Sequence, residues 1–304
     1  MVRVGVIGVG SMGKNHVRVY SELPDVELIG IADANESLVN STAKKYNIKS
    51  FVDYRKLLKE NLDAVNICVP TSLHKMVVID AANAGANVLV EKPIADTVEN
   101  AKKMINVCEK NDVKLMVGHI ERFNPIIPVI KKSLEKNNAI SISISRVGPF
   151  PPRIRDVGIV VDLAIHDIDL IRYITNSEFK KIFKLTSKNV TKYEDTAILL
   201  FEMENGTLAQ ITTNWLTPFK IREINIATKE KFIVGRFIEQ KVIEYSKYRE
   251  DGSYVSKELT VPSGEPLKLE LENFVKSIRY NKEPAITGYD GLKALEIATK
   301  CSER

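Results

Sequence analysis

Five short apolar runs, rich in β-branched residues, recur along the first 118 residues, and stretches of helical periodicity separate them. The runs are VRVGVIG (2–8), VELIGIA (26–32), AVNICV (64–69), NVLVE (87–91) and VKLMVG (113–118), with helical patterns near 12–22, 36–46, 73–84 and 98–110. Continuous apolar runs are typical of parallel strands that are covered on both faces. Their alternation with helices predicts an α/β domain over residues 1–118, built on a doubly wound parallel sheet of the Rossmann type.

Residues 119–304 follow a different pattern, in which strands dominate the middle and helices lie at both ends. This pattern predicts a second, α+β domain on a mostly antiparallel sheet. Its predicted elements are a helix from Pro125 to about 137, a strand over ISISIS (140–145), a hairpin turning at Asn205–Gly206, and helices near 266–281 and 289–302.

Composition excludes several classes of protein. The 304 residues are 44% hydrophobic and 27% charged, as in an ordinary globular protein, and no apolar run approaches the ~18 residues of a membrane span. The first strand pattern begins at once, which leaves no room for a secretion signal, so we expect a cytoplasmic protein. Three widely spaced cysteines lack metal-ligand spacing, and a net charge of +5 is too small and dispersed for a nucleic-acid binder. We therefore expect no metal, membrane or nucleic-acid partner.

The segment GVGSMG (8–13) matches the pattern G-x-G-x-x-G and lies between the first predicted strand and the first predicted helix. Glycines at such a turn let the backbone approach a pyrophosphate, whose charge is met by the helix N-terminus. An incidental glycine turn is the alternative. The expected phosphate-binding residues are Gly8, Gly10, Ser11, Met12 and Gly13.

Asp33 ends the second predicted strand, 20 residues beyond Gly13. A carboxylate at this position can accept hydrogen bonds from the adenosine ribose hydroxyls. Ala34 and Asn35 follow it, so no arginine is at hand to hold a 2′-phosphate, which Asp33 would repel. We expect the cofactor to be NAD rather than NADP.

The stretch VVDLAIHDIDL (160–170) carries charge within an otherwise apolar helical pattern. At about 100° per residue, Asp162, His166, Asp169 and Tyr173 fall on one narrow stripe. The stripe is either a strip that faces water or a set of polar side chains that line a site.

The segment VEKPIADT (90–97) directly follows the predicted strand NVLVE, at the edge of the sheet where doubly wound folds bind ligands. Glu91, Lys92 and Pro93 form either a plain surface turn or part of such a site.

These segments together resemble the Gfo/Idh/MocA family of oxidoreductases. The matching stretches are GVIGVGSMGKNH at the start, Asp33, CVPTSLH (68–74), EKP (91–93), GHIERFNP (118–125) and DLAIH (162–166), in family order over the first 170 residues. The region beyond about 175 adds only a compatible pattern.

The resemblance implies an NAD-binding Rossmann domain over residues 1–118 and a C-terminal domain over 119–304 that binds substrate. It also implies that an open-faced sheet in the second domain joins copies of the chain into a homodimer or homotetramer. Lys92, Asp162 and His166 are the implied catalytic residues. The implied cofactor contacts outside the glycine loop and Asp33 are Cys68, Val69, Pro70, Thr71, His74, Glu91, Lys92 and His119.

The segment SRVGPFPPRIRDVG (145–158) carries Arg146, Arg153 and Arg155, whose guanidinium groups suit phosphate oxygens. A solvated loop is the alternative. Together with GHIERFNP, this segment resembles family members that oxidise UDP-N-acetylglucosamine at C3. GHIERFNP adds Arg122 and Asn124 to the expected substrate site, which also includes Asp162 and His166.

Two other functions stay open at the level of sequence. One is a dehydrogenase of free polyols or monosaccharides such as myo-inositol, which has little use for the arginine segment. The other is a non-catalytic NAD(H)-binding regulator, although such a protein has no need to keep Lys92, Asp162 and His166 together.

Overall fold

The computed structural model describes residues 1–134, 138–150 and 157–302. They divide into a first unit, Met1–Ile120 with Leu267–Leu295, and a second unit, Glu121–Pro266 with Glu296–Arg304. Within the described ranges, no helix is both long enough and apolar enough to span a membrane.

The first unit contains a six-stranded sheet whose strands pair in parallel in the order β3-β2-β1-β4-β5-β6. The strands are β1 (Val2–Ile7), β2 (Val26–Ala32), β3 (Lys49–Phe51), β4 (Ala64–Ile67), β5 (Asn87–Glu91) and β6 (Leu115–Gly118). The strand order reverses between β1 and β4, which is the switch point where doubly wound sheets bind ligands. The predicted Rossmann sheet is confirmed.

Five helices connect these strands: α1 (Ser11–Glu22), α2 (Glu36–Tyr46), α3 (Tyr54–Leu57), α4 (Thr71–Asn83) and α5 (Val98–Lys110). The side chain of Asn35 caps α2 and that of Thr97 caps α5, each accepting a backbone N–H from the first turn. Periodicity did not predict β3 or α3, because three and four residues are too short to show a period.

The second unit is built on an eight-stranded sheet in the order β14-β13-β12-β11-β7-β10-β9-β8. Only the β7–β10 pair is parallel among the paired strands that the structure describes, so the predicted mostly antiparallel sheet is confirmed. Its strands are β7 (Ser141–Pro149), β8 (Phe179–Ser187), β9 (Thr196–Met203), β10 (Leu208–Asn214), β11 (Leu216–Ala227), β12 (Lys231–Arg236), β13 (Lys241–Ser246) and β14 (Ser256–Leu259). Its helices are α6 (Ile126–Leu134) and α7 (Ile165–Thr175), with a π-helical turn over Val160–Ala164 directly before α7.

The last two helices, α8 (Pro266–Arg279) and α9 (Gly288–Ser302), correct the expectation that 119–304 forms one domain. Residues Leu267–Leu295 group with the first unit. A Cβ on Gly288 would lie 2.9 Å from Ile105 Cγ1, and one on Gly291 would lie 2.6 Å from Val117 Cγ2. The start of α9 therefore packs closely on α5 and β6, and the chain returns to cover the Rossmann core.

Candidate active site

The glycine loop has the backbone geometry that a dinucleotide requires. Gly8 has φ +88, and a Cβ there would lie 2.7 Å from the carbonyl of Cys68. A Cβ on Gly13 would lie 1.8 Å from the Gly8 oxygen, so α1 can approach β1 this closely only with glycine. A Cβ on Gly10 would meet nothing within 4 Å. Open space therefore remains at the N-terminus of α1, where Ser11 and Met12 form the first turn.

Asp33 is held in place by two backbone N–H groups. Val9 donates to Asp33 Oδ2 at 2.8 Å, and Asn35 donates to Oδ1 at 2.9 Å. Each carboxylate oxygen keeps a further lone pair that can accept a ribose hydroxyl. The structure thus places a preoriented carboxylate at the end of β2, beside the glycine loop.

The expected cofactor residues of the first unit follow the carboxyl ends of its strands. Gly8 follows β1, Cys68–Thr71 follow β4, Glu91 and Lys92 end or follow β5, and His119 follows β6. Because these strands are parallel and adjacent, their carboxyl ends share one edge of the sheet. Cys68, Val69 and Thr71 are half-buried and Pro70 is exposed, whereas His119 is buried.

His74 joins two of these loops. Its ring is buried, with Nε2 3.0 Å from the Val69 carbonyl oxygen and Nδ1 3.0 Å from that of Pro93. Burial lowers the pKa of His74, although the two carbonyls act in the opposite direction. Both ring nitrogens of His74 contact backbone carbonyls, so the ring links the loops after β4 and β5, and the cofactor contact that the family resemblance implies stays a prediction.

Glu91 belongs to a chain of hydrogen bonds that sequence analysis did not predict. Tyr20 Oη donates to Asn66 Oδ1 at 2.7 Å, and Asn66 Nδ2 donates to His16 Nδ1 at 2.8 Å. His16 Nε2 therefore carries the ring proton and donates to Glu91 Oε1 at 2.8 Å. Burial tends to raise the pKa of Glu91, but His16 and Lys92 hold it below its usual value. The carboxylate of Glu91 thus points into the protein and precedes Lys92.

Atoms of His16, Cys68 and Glu91 that can bind metals lie within 4.8 Å of one another. Both ring nitrogens of His16 already have partners in Asn66 and Glu91. A hydrogen-bond network therefore accounts for this cluster.

In the second unit, the polar stripe on the helix is buried. The exposed fractions are 4% for Asp162, 8% for His166 and 1% for Asp169. The alternative of a strip facing water is therefore wrong. Asp162 lies in the π-helical turn and His166 in the first turn of α7. Such turns occur often at functional sites.

Half of the stripe is taken by Arg122. Its Nε and Nη2 atoms donate to the two carboxylate oxygens of Asp169 at 2.6 and 2.5 Å, and its guanidinium lies 4.7 Å from the Tyr173 ring centroid. Asn124 is likewise engaged by protein: its Nδ2 donates to the Phe237 carbonyl, and its Oδ1 accepts the backbone N–H of Ile126. The side chains of Arg122 and Asn124 are therefore buried and paired with other protein groups, and their substrate contacts stay predictions.

A second ionic cluster lies next to this pair. Arg146 Nη2 donates to Asp167 Oδ1 at 2.8 Å, and its Nη1 donates to Glu121 Oε1 at 2.8 Å. Glu121 also accepts from Arg222 Nη1 at 3.1 Å. Although burial opposes it, Asp167 and Glu121 raise the pKa of Arg146. The sequence groups Arg146 with arginines that suit phosphate, but its side chain is buried between two carboxylates. The alternating strand pattern was the one sequence signal of this burial, since it places Arg146 on the same face as the buried Ile142 and Ile144.

Arg222, on β11, is the cation of this cluster that reaches solvent. Its side chain is 33% exposed, and among the described residues only Glu121 accepts a hydrogen bond from its guanidinium, through Nη1. Burial and Arg146 lower the pKa of Arg222, while the carboxylates of Glu121, Asp167 and, to a smaller extent, Asp162 act to raise it. A guanidinium with unused N–H donors therefore lies within electrostatic reach of Asp162. Arg153 and Arg155, the expected phosphate contacts, fall outside the described residues.

Two family models match the chain. One, an oxidoreductase family with an NAD-binding Rossmann fold, covers residues 2–119, and the other, the GFO/IDH/MocA C-terminal domain, covers residues 142–233. The UDP-N-acetylglucosamine 3-dehydrogenase of Acidithiobacillus ferrooxidans is 27% identical over 98% of this chain and 95% of its own. Its solved structure aligns with a TM-score of 0.93, over 99% of this chain and 96% of that one. The myo-inositol 2-dehydrogenase of Thermotoga maritima is also 27% identical, over 97% of this chain and 93% of its own.

Proposed function

Because the chain belongs to the Gfo/Idh/MocA family of NAD-dependent oxidoreductases, we propose that it oxidises the C3 hydroxyl of a UDP-sugar, UDP-N-acetylglucosamine, to the 3-keto sugar. The supporting observation is the likeness of both units, over nearly the whole length, to a UDP-N-acetylglucosamine 3-dehydrogenase. We place this reaction in the cytoplasm, within nucleotide-sugar biosynthesis.

The chemistry needs a base, a stabilised oxyanion and a hydride acceptor. NAD, when bound, supplies the acceptor for the hydride that leaves C3. His166 takes the proton of the C3 hydroxyl, since a neutral imidazole is a competent base near neutral pH. The ammonium of Lys92 stabilises the negative charge that develops on the oxygen, and Asp162 orients His166 or the sugar.

The position of Arg222 favours an anionic substrate over a neutral one. Unused guanidinium donors near Asp162 suit phosphate oxygens better than they suit the hydroxyls of a neutral polyol. We propose that Arg222 binds the diphosphate, while the roles of Arg122, Arg153 and Arg155 stay as predicted.

The test incubates the protein with NAD and one of UDP-N-acetylglucosamine, free N-acetylglucosamine or myo-inositol, and follows NADH by absorbance and product by mass spectrometry. We expect a UDP-sugar product that has lost two hydrogens, and little turnover of the free sugar, which lacks the remote binding group. Oxidation of myo-inositol alone would establish the polyol dehydrogenase instead. NAD binding without turnover of any sugar would point to the regulator.

The variant R222Q sharpens this assay. We expect it to raise the KM for the UDP-sugar by about tenfold, the loss of one charge-assisted hydrogen bond, with a smaller change in kcat. R236Q, on the neighbouring strand β12 and 49% exposed, is the matched control and should leave KM unchanged. An unchanged KM in R222Q, with the wild-type protein active on the UDP-sugar, would remove Arg222 from the substrate site.

We also propose that the open face of the second unit joins copies of the chain. Phe183 of β8 pairs with Leu200 of β9, and Leu185 pairs with Ile198, so that four apolar side chains between 40% and 73% exposed form one patch. A contiguous apolar patch on a sheet typically marks an interface.

Light scattering should show a dimer or tetramer of the wild-type protein. L200K should shift the equilibrium toward monomer, whereas Y280K, outside this sheet, should not. A wild-type monomer at micromolar concentration would contradict the assembly.

A further inference from the structure

Glu270 is a buried acid that no step of the proposed reaction uses. It lies on α8, its exposed fraction is 0%, and no described residue donates a hydrogen bond to either carboxylate oxygen. Leaving a buried carboxylate ionised without a donor is costly. A buried acid in this setting therefore needs either a proton or a cation.

The ionisable groups around Glu270 come from three other elements of the first unit. Burial and then the negative charge of Glu91 raise the pKa of Glu270 well above its usual value. Burial also raises the pKa of Tyr20 on α1 and of Cys68 after β4, and both groups lie within electrostatic reach of Glu270. Both of these groups stay neutral, so the ionised group that faces Glu270 is Glu91.

Glu91 and Glu270 differ in the partners that stabilise a negative charge. Glu91 accepts a hydrogen bond from His16 and is further stabilised by the charges of Lys92 and of His74 when protonated. Glu270 has no such partner among the described residues. Two buried carboxyl groups that interact electrostatically do not both ionise readily, so one proton stays with the pair. That proton resides on Glu270, which then offers one O–H donor.

We propose that Glu270 is a positioning residue for Lys92: as a neutral acid it donates through one water to Glu91, and completes the contacts that fix Glu91 and Lys92 at the end of β5. The hydrogen-bond chain from Tyr20 through Asn66 and His16 reaches Glu91 Oε1. Glu270 thus links helix α8 to Glu91, the residue that precedes the lysine of the proposed reaction.

The kinetic test compares E270Q and E270L, using whichever of the three sugars the wild-type protein oxidises. Glutamine keeps the shape and an N–H donor, so E270Q should retain kcat within about threefold, whereas E270L should lose at least about tenfold, since small displacements of a catalytic group are that costly. NAD affinity, measured by fluorescence titration, should change little in either. S277A, which removes another buried polar group of α8, is the matched control and should keep kcat.

The second test needs no substrate, so it stands even if the proposed function fails. A raised pKa in the folded state means that the stability contribution of Glu270 is fully present below about pH 4.5 and is lost as the pH rises through the folded pKa. Glutamine does not titrate. As the pH rises from about 4.5, the Tm of the wild type should therefore fall relative to the Tm of E270Q. The difference between the two should stop growing above the pKa of Glu270 in the folded protein.

Two results would overturn the proposal. If E270Q loses as much kcat as E270L, and its Tm falls relative to the wild type as the pH rises, Glu270 acts as a carboxylate. If E270L keeps wild-type kcat, Glu270 does not position Lys92. Retained kcat in E270Q, loss in E270L and the stated rise in relative Tm would together support it.

Discussion

Replacing Lys92 with methionine is expected to lower kcat by on the order of 10²-fold or more while leaving NAD binding largely intact. Methionine keeps the length of the side chain but removes the positive charge at the developing oxyanion. Because this charge, in the proposed mechanism, stabilises the transition state more than the bound substrate, kcat and kcat/KM should fall together. Steady-state kinetics with the oxidised sugar, and a titration of NAD, measure the two quantities separately.

A control variant and a second catalytic variant are measured in the same way. K56M, on α3 and exposed, removes a lysine charge elsewhere and should leave kcat unchanged. H166N should lower kcat in a similar way, with partial recovery at high pH, where hydroxide replaces the missing base. Near-normal turnover in K92M would exclude Lys92 from the chemistry, and near-normal turnover in H166N would exclude His166.

Replacing Arg146 with methionine is expected to destabilise the protein by about 3–5 kcal/mol. Methionine fills a similar volume but leaves Asp167, whose side chain is 0% exposed, without its charged partner. Glu121 keeps its ion pair with Arg222, so its charge costs less to leave without Arg146. The free energy of unfolding from urea titration is the measurement.

Two variants test whether a buried unpaired charge is the cause. R172M breaks a half-exposed pair with Glu178 and should cost no more than about 1 kcal/mol. Replacing Asp167 with leucine in the R146M background should recover part of the lost stability, because the orphaned carboxylate is then removed. A loss below about 1 kcal/mol in R146M would show that this ion pair contributes little.

Local patterns were sufficient where neighbouring residues decide the structure. The β-branched runs predicted five of the six Rossmann strands, because a strand buried on both faces must be apolar throughout. The glycines of GVGSMG predicted the turn, since Gly8 has positive φ and Gly13 has no room for a side chain. Asp162 and His166 were identified by their spacing and by the family resemblance, and their roles stay predictions.

Only the tertiary structure decided which charges are paired inside the protein. Arg122 resembled a phosphate contact in the sequence, but Asp169, 47 positions away, takes its guanidinium. Arg222 and Glu121 meet across 101 positions, beyond the reach of any periodicity. Helix and strand periods relate side chains only a few residues apart, whereas the cost of burying a charge depends on what the rest of the chain brings to it. For the same reason the placement of α8 on the Rossmann core, and with it the buried Glu270, could not be predicted from the sequence alone.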